Sequence, residues 1–198
     1  MKKYLIALVA VLLFAVIVYL YLSAQRSKSR VDVSRTAVIK ELRSINRLET
    51  AMYTIEKIVD AQTATTGKIQ EFLFGDKLLL IAHGEVIAGI DLSKLEESNM
   101  NIQEKNISIT LPAPEILIVS IDNAKTKVYD RRTGILSKGD KDLEAEARAE
   151  AEQSIRKAAC EAGILDQAAE NARKQLTALF RAVAFETITI TIPTAVCK

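Results

Sequence analysis

Residues 77–91 read KLLLIAHGEVIAGID. Two short apolar runs, Lys77 to His83 and Glu85 to Asp91, flank Gly84, so two strands are expected to meet there at a tight turn. Neither run alternates apolar with polar residues. Nearly continuous apolar character predicts strands covered on both faces, or central to their sheet. A β-sheet therefore sits at the heart of the folded part.

The neighbouring segments extend that sheet. Ser93-Lys94-Leu95-Glu96 matches a capping box and predicts a brief helical turn. Ile107 to Leu111 (ISITL) alternates with period two, and Pro112 and Pro114, which cannot donate ladder bonds, close it. Glu115 to Asp122 (EILIVSID) is another strand, Asn123-Ala124 marks a turn, and Thr126 to Asp130 is expected to return as a hairpin partner. Arg131 to Lys141 (RRTGILSKGDK) reads as a loop. On the other side, Leu48 to Ala61 carries a helical stripe (Leu48, Met52, Ile55, Val59) but also the strand formers Thr50, Tyr53, Thr54 and Ile58, which favour a strand. Ala61 to Lys68 (AQTATTGK) has the composition of a turn.

Past Lys141 the period changes. Leu143, Ala147, Ala151, Ile155, Ala158 and Ala162 form one narrow helical stripe, and Gly163 suits its C-terminal cap. A second helix, about 165–182, would bury Leu165, Ala168, Ala172, Leu176, Leu179 and Val183. So short a break predicts an antiparallel helical hairpin laid on the sheet. Thr187 to Ile192 (TITITI) alternates cleanly and Pro193 stops it, so a last strand is expected to rejoin the sheet. The fold class is α+β: a mostly antiparallel sheet packed by a C-terminal helical hairpin, over residues 48–193, with 194–198 as a tail.

Ahead of this domain, Tyr4 to Leu22 is nineteen residues without a charge. As a helix it would be about 28 Å long, close to the roughly 30 Å hydrocarbon core of a bilayer. It exceeds the h-region of a cleaved signal peptide, and Leu22-Ser23-Ala24 is a poor small-x-small site, so residues 1–22 read as an uncleaved N-terminal transmembrane anchor. Residues 23–47 follow as a basic juxtamembrane linker and a helix starting near Ser34, with Val38, Leu42, Ile45 and Leu48 on one stripe. Lys2 and Lys3 before the run resemble an exporting signal, whereas Arg26, Lys28, Arg30, Arg35 and Lys40 after it favour the opposite orientation. The export form leads us to expect a single-pass cell-membrane protein with its domain outside the cytoplasm.

Charge is asymmetric. Residues 1–47 hold nine Lys/Arg against Asp32 and Glu41, a balance of +7; residues 48–198 hold eighteen against twenty-three Asp/Glu, a balance of −5. An acidic domain lacks the basic surplus that phosphate binding needs, so nucleic acid is not expected as a partner. Two cysteines are too few for a disulfide framework; Cys160 reads as a helix residue and Cys197 as part of a frayed tail, and a bond between them would need an oxidising compartment.

No catalytic, cofactor-binding or metal-binding set emerges. His83 is the one histidine, and no HExxH, CxxC or GxSxG motif is present. Gly84 and Gly89 have the spacing of neither a P-loop nor a dinucleotide fingerprint. His83, Asp91 and Asp122 would make an enzyme only if gathered in one cleft, and each aspartate has a plain turn-capping role. Arg131-Arg132 reads as a solvated loop, and the sequon Asn106-Ile-Ser108 lies inside a predicted strand.

The run Gly84-Glu-Val-Ile-Ala-Gly-Ile-Asp-Leu-Ser93, then Leu111-Pro-Ala-Pro-Glu-Ile116, then Val128-Tyr-Asp130, then Gly163-Ile-Leu165 with Ala168 and Asn171-Ala172, resembles a bacterial family known as domain of unknown function 4230. The resemblance spans about 48–193 and implies a membrane-anchored domain with no activity to transfer. A looser similarity of layout, an anchor followed by a small mixed domain and an Ala/Glu-rich helix, is to the stomatin–prohibitin–flotillin scaffolds. The expected function is therefore non-enzymatic: self-assembly or binding of an envelope protein, tethered to the bilayer through residues 4–22. A ligand- or lipid-binding sensor with a pocket between sheet and hairpin is the alternative.

Overall fold

The computed structural model describes residues 14, 16–19 and 35–197. Residues 1–34 and 35–198 form separate units. In the first, Phe14 and residues 16–19 are helical and exposed; the rest of the 4–22 run and the 23–33 linker lie outside the described residues. Among the described residues no helix is long and apolar enough to cross a membrane.

The second unit opens with helix α1 (Arg35–Ile45), which buries Ile39 and Leu42. The expected stripe through Val38 and Ile45 is off by one position: Ile39 points inward, because the 3₁₀ turns Leu92–Lys94 and Glu97–Asn99 supply the packing surface and Arg43 Nε donates to Leu95 O at 2.6 Å.

Strand β1 (Arg47–Gln62) and strand β2 (Asp76–Asp91) pair antiparallel along their whole length, a ribbon about 50 Å long. The seven-residue helix α2 (Lys68–Phe74) joins them. β2 runs straight through Gly84, which overturns the expected turn there. A Cβ on Gly84 would lie 2.8 Å from Ile155 Cδ1 and 2.9 Å from Ser120 O, so glycine marks the close approach of a helix and a neighbouring strand. Beyond β2 come β3 (Met100–Gln103) and β4 (Asn106–Thr110), then β5 (Glu115–Ile121) and β6 (Lys127–Thr133).

β5 and β6 do not form the expected hairpin. Both pair antiparallel with β2, β5 opposite Gly84–Gly89 and β6 opposite Asp76–Ile81, so they are one line of chain interrupted by a loop. The loop is self-sufficient: Asp122 accepts from the Ala124 and Lys125 amides at 3.0 and 3.2 Å, Asp122 N donates to His83 O at 2.8 Å, and His83 N donates to the buried Thr126 Oγ1 at 3.1 Å. The chain bulges out and resumes its course on the same edge.

Helices α3 (Leu143–Glu161) and α4 (Ile164–Ala182) cover one face of this sheet. α3 buries Leu143, Ala147, Ala151, Ile155 and Ala159, and α4 buries Ile164, Leu165, Ala168, Ala172, Leu176 and Phe180. The contacts advance along β2. Asp140, just before α3, bonds Asp76 at the start of the strand; Ile155 touches Gly84 midway; Ala168 and Asn171 bond Thr50, at the far end of the ribbon. The helices follow one another, which corrects the antiparallel hairpin. Their break is only Ala162 and Gly163, the latter left-handed at φ 79°, and Gln167 N already donates to Gly163 O. Alanines keep α3 close to the strands, as their spacing suggests.

The last strand, β7 (Thr187–Thr191), joins a second, three-stranded sheet, β3-β4-β7, running parallel to β4. The expectation that it would re-enter the main sheet is therefore corrected. Phe185 packs edge-on against Phe180, and Glu186 N donates to Lys105 O, which delivers the chain to β4. The tail beyond is tied down: Ala195 packs on the core, and Cys197 forms a disulfide with Cys160, so the two cysteines are not the separate helix and tail residues they appeared.

Candidate functional site

His83, Asp91 and Asp122 do not share a cleft. His83 and Asp122 are neighbours through backbone bonds, but Asp91 lies eight residues farther along β2, about 26 Å away. Each group is engaged locally. His83 Nε2 meets Glu56 at 3.3 Å. The Asp122 carboxylate wraps its own loop and pairs with Lys125 at 2.9 Å, which holds its pKa below the usual range. Asp91 caps the 3₁₀ turn through Ser93 N at 3.0 Å; the Ser93 hydroxyl, then Lys94, lower its pKa. These are capping roles. Among the described residues no three His, Cys, Asp or Glu side chains are grouped to hold a metal ion.

One polar cluster has no local signature in the sequence. Asp76, 1% exposed, accepts from Arg131 Nη2 at 2.6 Å and from the Asp140 amide at 2.7 Å, with the Thr133 hydroxyl at 3.4 Å. The Arg131 guanidinium is the main reason that its carboxyl is held below the ordinary range, against the opposing effect of burial. Arg131 also donates to Asp140 O, so it is a clamp rather than a solvated loop residue. This pair fastens β2, β6 and the entry to α3.

Several of the residues that carry the family resemblance are packing residues, while Val128 and Tyr129 are exposed. Gly84 and Gly89 sit where a Cβ would collide, the second with Leu48 O. Asn171 Nδ2 donates to Thr50 O at 2.8 Å while the Thr50 hydroxyl donates to Ala168 O at 2.9 Å, which docks α4 at the bulge in β1. Leu111 N donates to Thr191 O, and Pro114 is buried. Asp130 pairs with Arg132 at 3.0 Å.

Among the described residues the space between sheet and helices, where a sensor would need a pocket, is filled. Ala147, Ala151, Ile155 and Ala168 fill that space against Leu80, Ala82 and Val86. Two shallow hollows lie elsewhere: about 490 Å³ along α2, and about 250 Å³ between Pro114, Arg173 and Pro193.

The remaining feature is the other face of the main sheet. Alternation sends Leu78, Leu80, Ala82, Val86 and Ala88 of β2 toward the helices, and Leu79, Ile81, His83, Glu85 and Ile87 the opposite way. The flanking strands add Met52 (60% exposed) and Ile58 (65%) from β1 and Ile118 from β5. Among the described residues no helix or sheet is packed on this face. Of the two expected settings, covered on both faces or central to the sheet, the second holds: β2 lies between β1 and the β5–β6 line, and among the described residues helices cover one of its faces. A second apolar group, Ile69, Phe72, Phe74, Ile135 and Leu136, is exposed where α2 meets the loop after β6.

A family model described as protein of unknown function (DUF4230) matches residues 40–190, which takes in the whole sheet, both long helices and most of β7. No curated protein and no solved structure matches the chain.

Proposed function

We propose, from the premise that the chain belongs to the DUF4230 family of proteins of unknown function, that it is a membrane-tethered, non-enzymatic domain that works by binding another protein surface through the open face of its main sheet. The observation that carries this is a pair of apolar patches on that face, Met52–Ile87–Ile118 and Ile58–Ile81, exposed or half-buried with nothing packed on them among the described residues and separated by the Glu85 and His83 levels. Exposed apolar patches rimmed by polar residues mark interaction sites. The tether is the 4–22 run. The domain lies outside the cytoplasm, because a Cys160–Cys197 bond persists in oxidising compartments and is rare in the reducing cytosol. A stomatin-like scaffold is one form that such assembly takes; a sensor role has less support, since the space between sheet and helices is filled.

Chemical cross-linking in native membranes tests the reading. The chain is expected in adducts larger than itself, and a strictly monomeric, partner-free protein would sink it. Protease treatment of intact, wall-stripped cells checks placement separately: the domain is expected to be digested.

A further inference from the structure

Resting on the tether in that reading, we infer that the domain makes a second contact with lipid: the apolar tip built by α2 and the turn after β6 dips into the headgroup–acyl boundary of the bilayer that holds the 4–22 run. The tip presents Ile69, Phe72, Phe74, Ile135 and Leu136, each more than half exposed. They stand in a fixed frame. Gly134 N donates to Gly75 O at 2.7 Å and Leu136 N to Leu73 O at 2.8 Å, which laces the turn to the end of the helix.

The polar groups of the tip favour lipid over a protein surface. A segment enters the edge of an apolar phase at little cost when its hydrogen bonds are already made internally. Gly75 N donates to Glu71 O at 2.8 Å, Ser137 N to Gly134 O at 3.0 Å and Gly139 N to Ser137 Oγ at 3.1 Å. Gln70 accepts from the Thr66 hydroxyl, and Glu71 is paired with Lys77. A protein interface ordinarily adds about one hydrogen bond per 100–200 Å², and these side chains are engaged with one another instead.

Charge points the same way. Residues 63–77 and 130–142, which build the tip, hold six Lys/Arg against five Asp/Glu, a balance of +1; the rest of 48–198 holds twelve against eighteen, a balance of −6. Glu71, Asp76 and Asp130 are paired, and Asp140 and Asp142 lie at the entry to α3. Lys68, Lys138 and Lys141 are exposed and make no ion pair among the described residues. Apolar side chains ringed by lysines suit an anionic headgroup layer.

The anchor's own bilayer is the one always within reach. The chain enters the domain at Arg35, and α1 packs where β2 ends, about 50 Å along the ribbon from the tip. Residues 23–34 can span up to about 40 Å, so the domain can bring its tip down, and tethering lets a small patch bind that would be weak as a free ligand.

The test uses the full chain reconstituted in vesicles of phosphatidylethanolamine and phosphatidylglycerol, with an environment-sensitive fluorophore on Ile135→Cys and the Cys160–Cys197 bond kept. Lipids brominated on their acyl chains are expected to quench this label, and to spare one on Glu104→Cys in the β3–β4 turn. Phe72→Asp should lower the quenching about threefold, and Lys138→Glu/Lys141→Glu should lower it in these vesicles but not in neutral phosphatidylcholine. Equal quenching at both labels overturns the tip as the contact. A chain that resists carbonate extraction but shows no quenching at position 135 overturns the inference alone; a chain that carbonate removes overturns the tether and the inference with it. Quenching only by brominated lipid in separately added vesicles overturns the choice of the anchor's own bilayer. A photo-cross-linker at position 72 that captures a protein in native membranes overturns lipid as the occupant.

Discussion

The Cys160–Cys197 bond makes the most exacting prediction. It joins the end of α3 to the segment after β7, 37 residues on, and the loop that it closes contains all of α4 and β7. Constraining a loop of that length in the unfolded chain is worth about 4 kcal/mol by loop-closure entropy, and measured values commonly fall at 2–4 kcal/mol. With a urea dependence of roughly 1–3 kcal/mol/M, the unfolding midpoint of the full chain in detergent micelles should drop by about 1–3 M when the bond is removed. Cys160→Ser, Cys197→Ser and the double variant should all lose the same amount, because either single change abolishes one shared bond. Dithiothreitol should lower the wild-type midpoint to theirs and leave the variants unmoved. Circular dichroism at 222 nm follows the helices and so reports the transition. The result that would refute the reasoning is specific: Cys197→Ser neutral while Cys160→Ser is costly. That pattern belongs to a half-buried helix thiol and an idle tail residue, and it would also remove the support that the bond lends to a domain outside the cytoplasm.

Three further changes probe the packing on which the open face depends. Gly84→Val forces a side chain into Ile155 and Ser120 O and should cost about 1–3 kcal/mol, read as a lower thermal midpoint; trimming the partner in Gly84→Ala/Ile155→Val should recover part of the loss. Asp76→Ala leaves the Arg131 guanidinium without its carboxylate and should cost about 3 kcal/mol at pH 7 by urea titration. Because the folded-state pKa of Asp76 lies below its unfolded value, its contribution is complete above the unfolded pKa and is lost as pH falls through the folded one. Stability should therefore decline more steeply below about pH 4 in wild type than in Asp76→Asn, and parallel acid profiles would contradict this. Asn171→Ala frees the Thr50 carbonyl and should cost about 1 kcal/mol, with faster hydrogen exchange in the first two turns of α4 as its local signature.

How much of this was legible in the sequence depends on how far apart the deciding atoms are. Period-two alternation in Ile107–Leu111 and Thr187–Ile192 appears as expected in β4 and β7, and the four-residue spacing holds in α3 from Leu143 to Ile155, after which Ala159 is buried in place of Ala158 and Ala162; Leu179 and Val183, expected inside, are exposed because α4 turns Leu176 and Phe180 to the core. Gly84 reads as a turn because a turn glycine and a close-approach glycine look alike until Ile155, 71 residues later, is laid on the strand. The β5–β6 line reads as a hairpin for the same reason: Asp122-Asn-Ala is a good turn, but the partner that receives Thr126–Asp130 is β2, not β5. Asp76 and Arg131 are 55 residues apart and share no motif. The apolar run of β2 is the instructive case. Its composition is that of a strand covered on both faces or central to its sheet; it is central, and the alanine-rich helices bury Leu78, Leu80, Ala82, Val86 and Ala88 completely. Leu79, Ile81 and Ile87 are as apolar and have no such cover among the described residues. A solvated sheet face is ordinarily polar at alternate positions. The composition of β2 therefore fits a further layer on the open side, which is why we look to a binding partner, and not to a reacting group, for what this domain does.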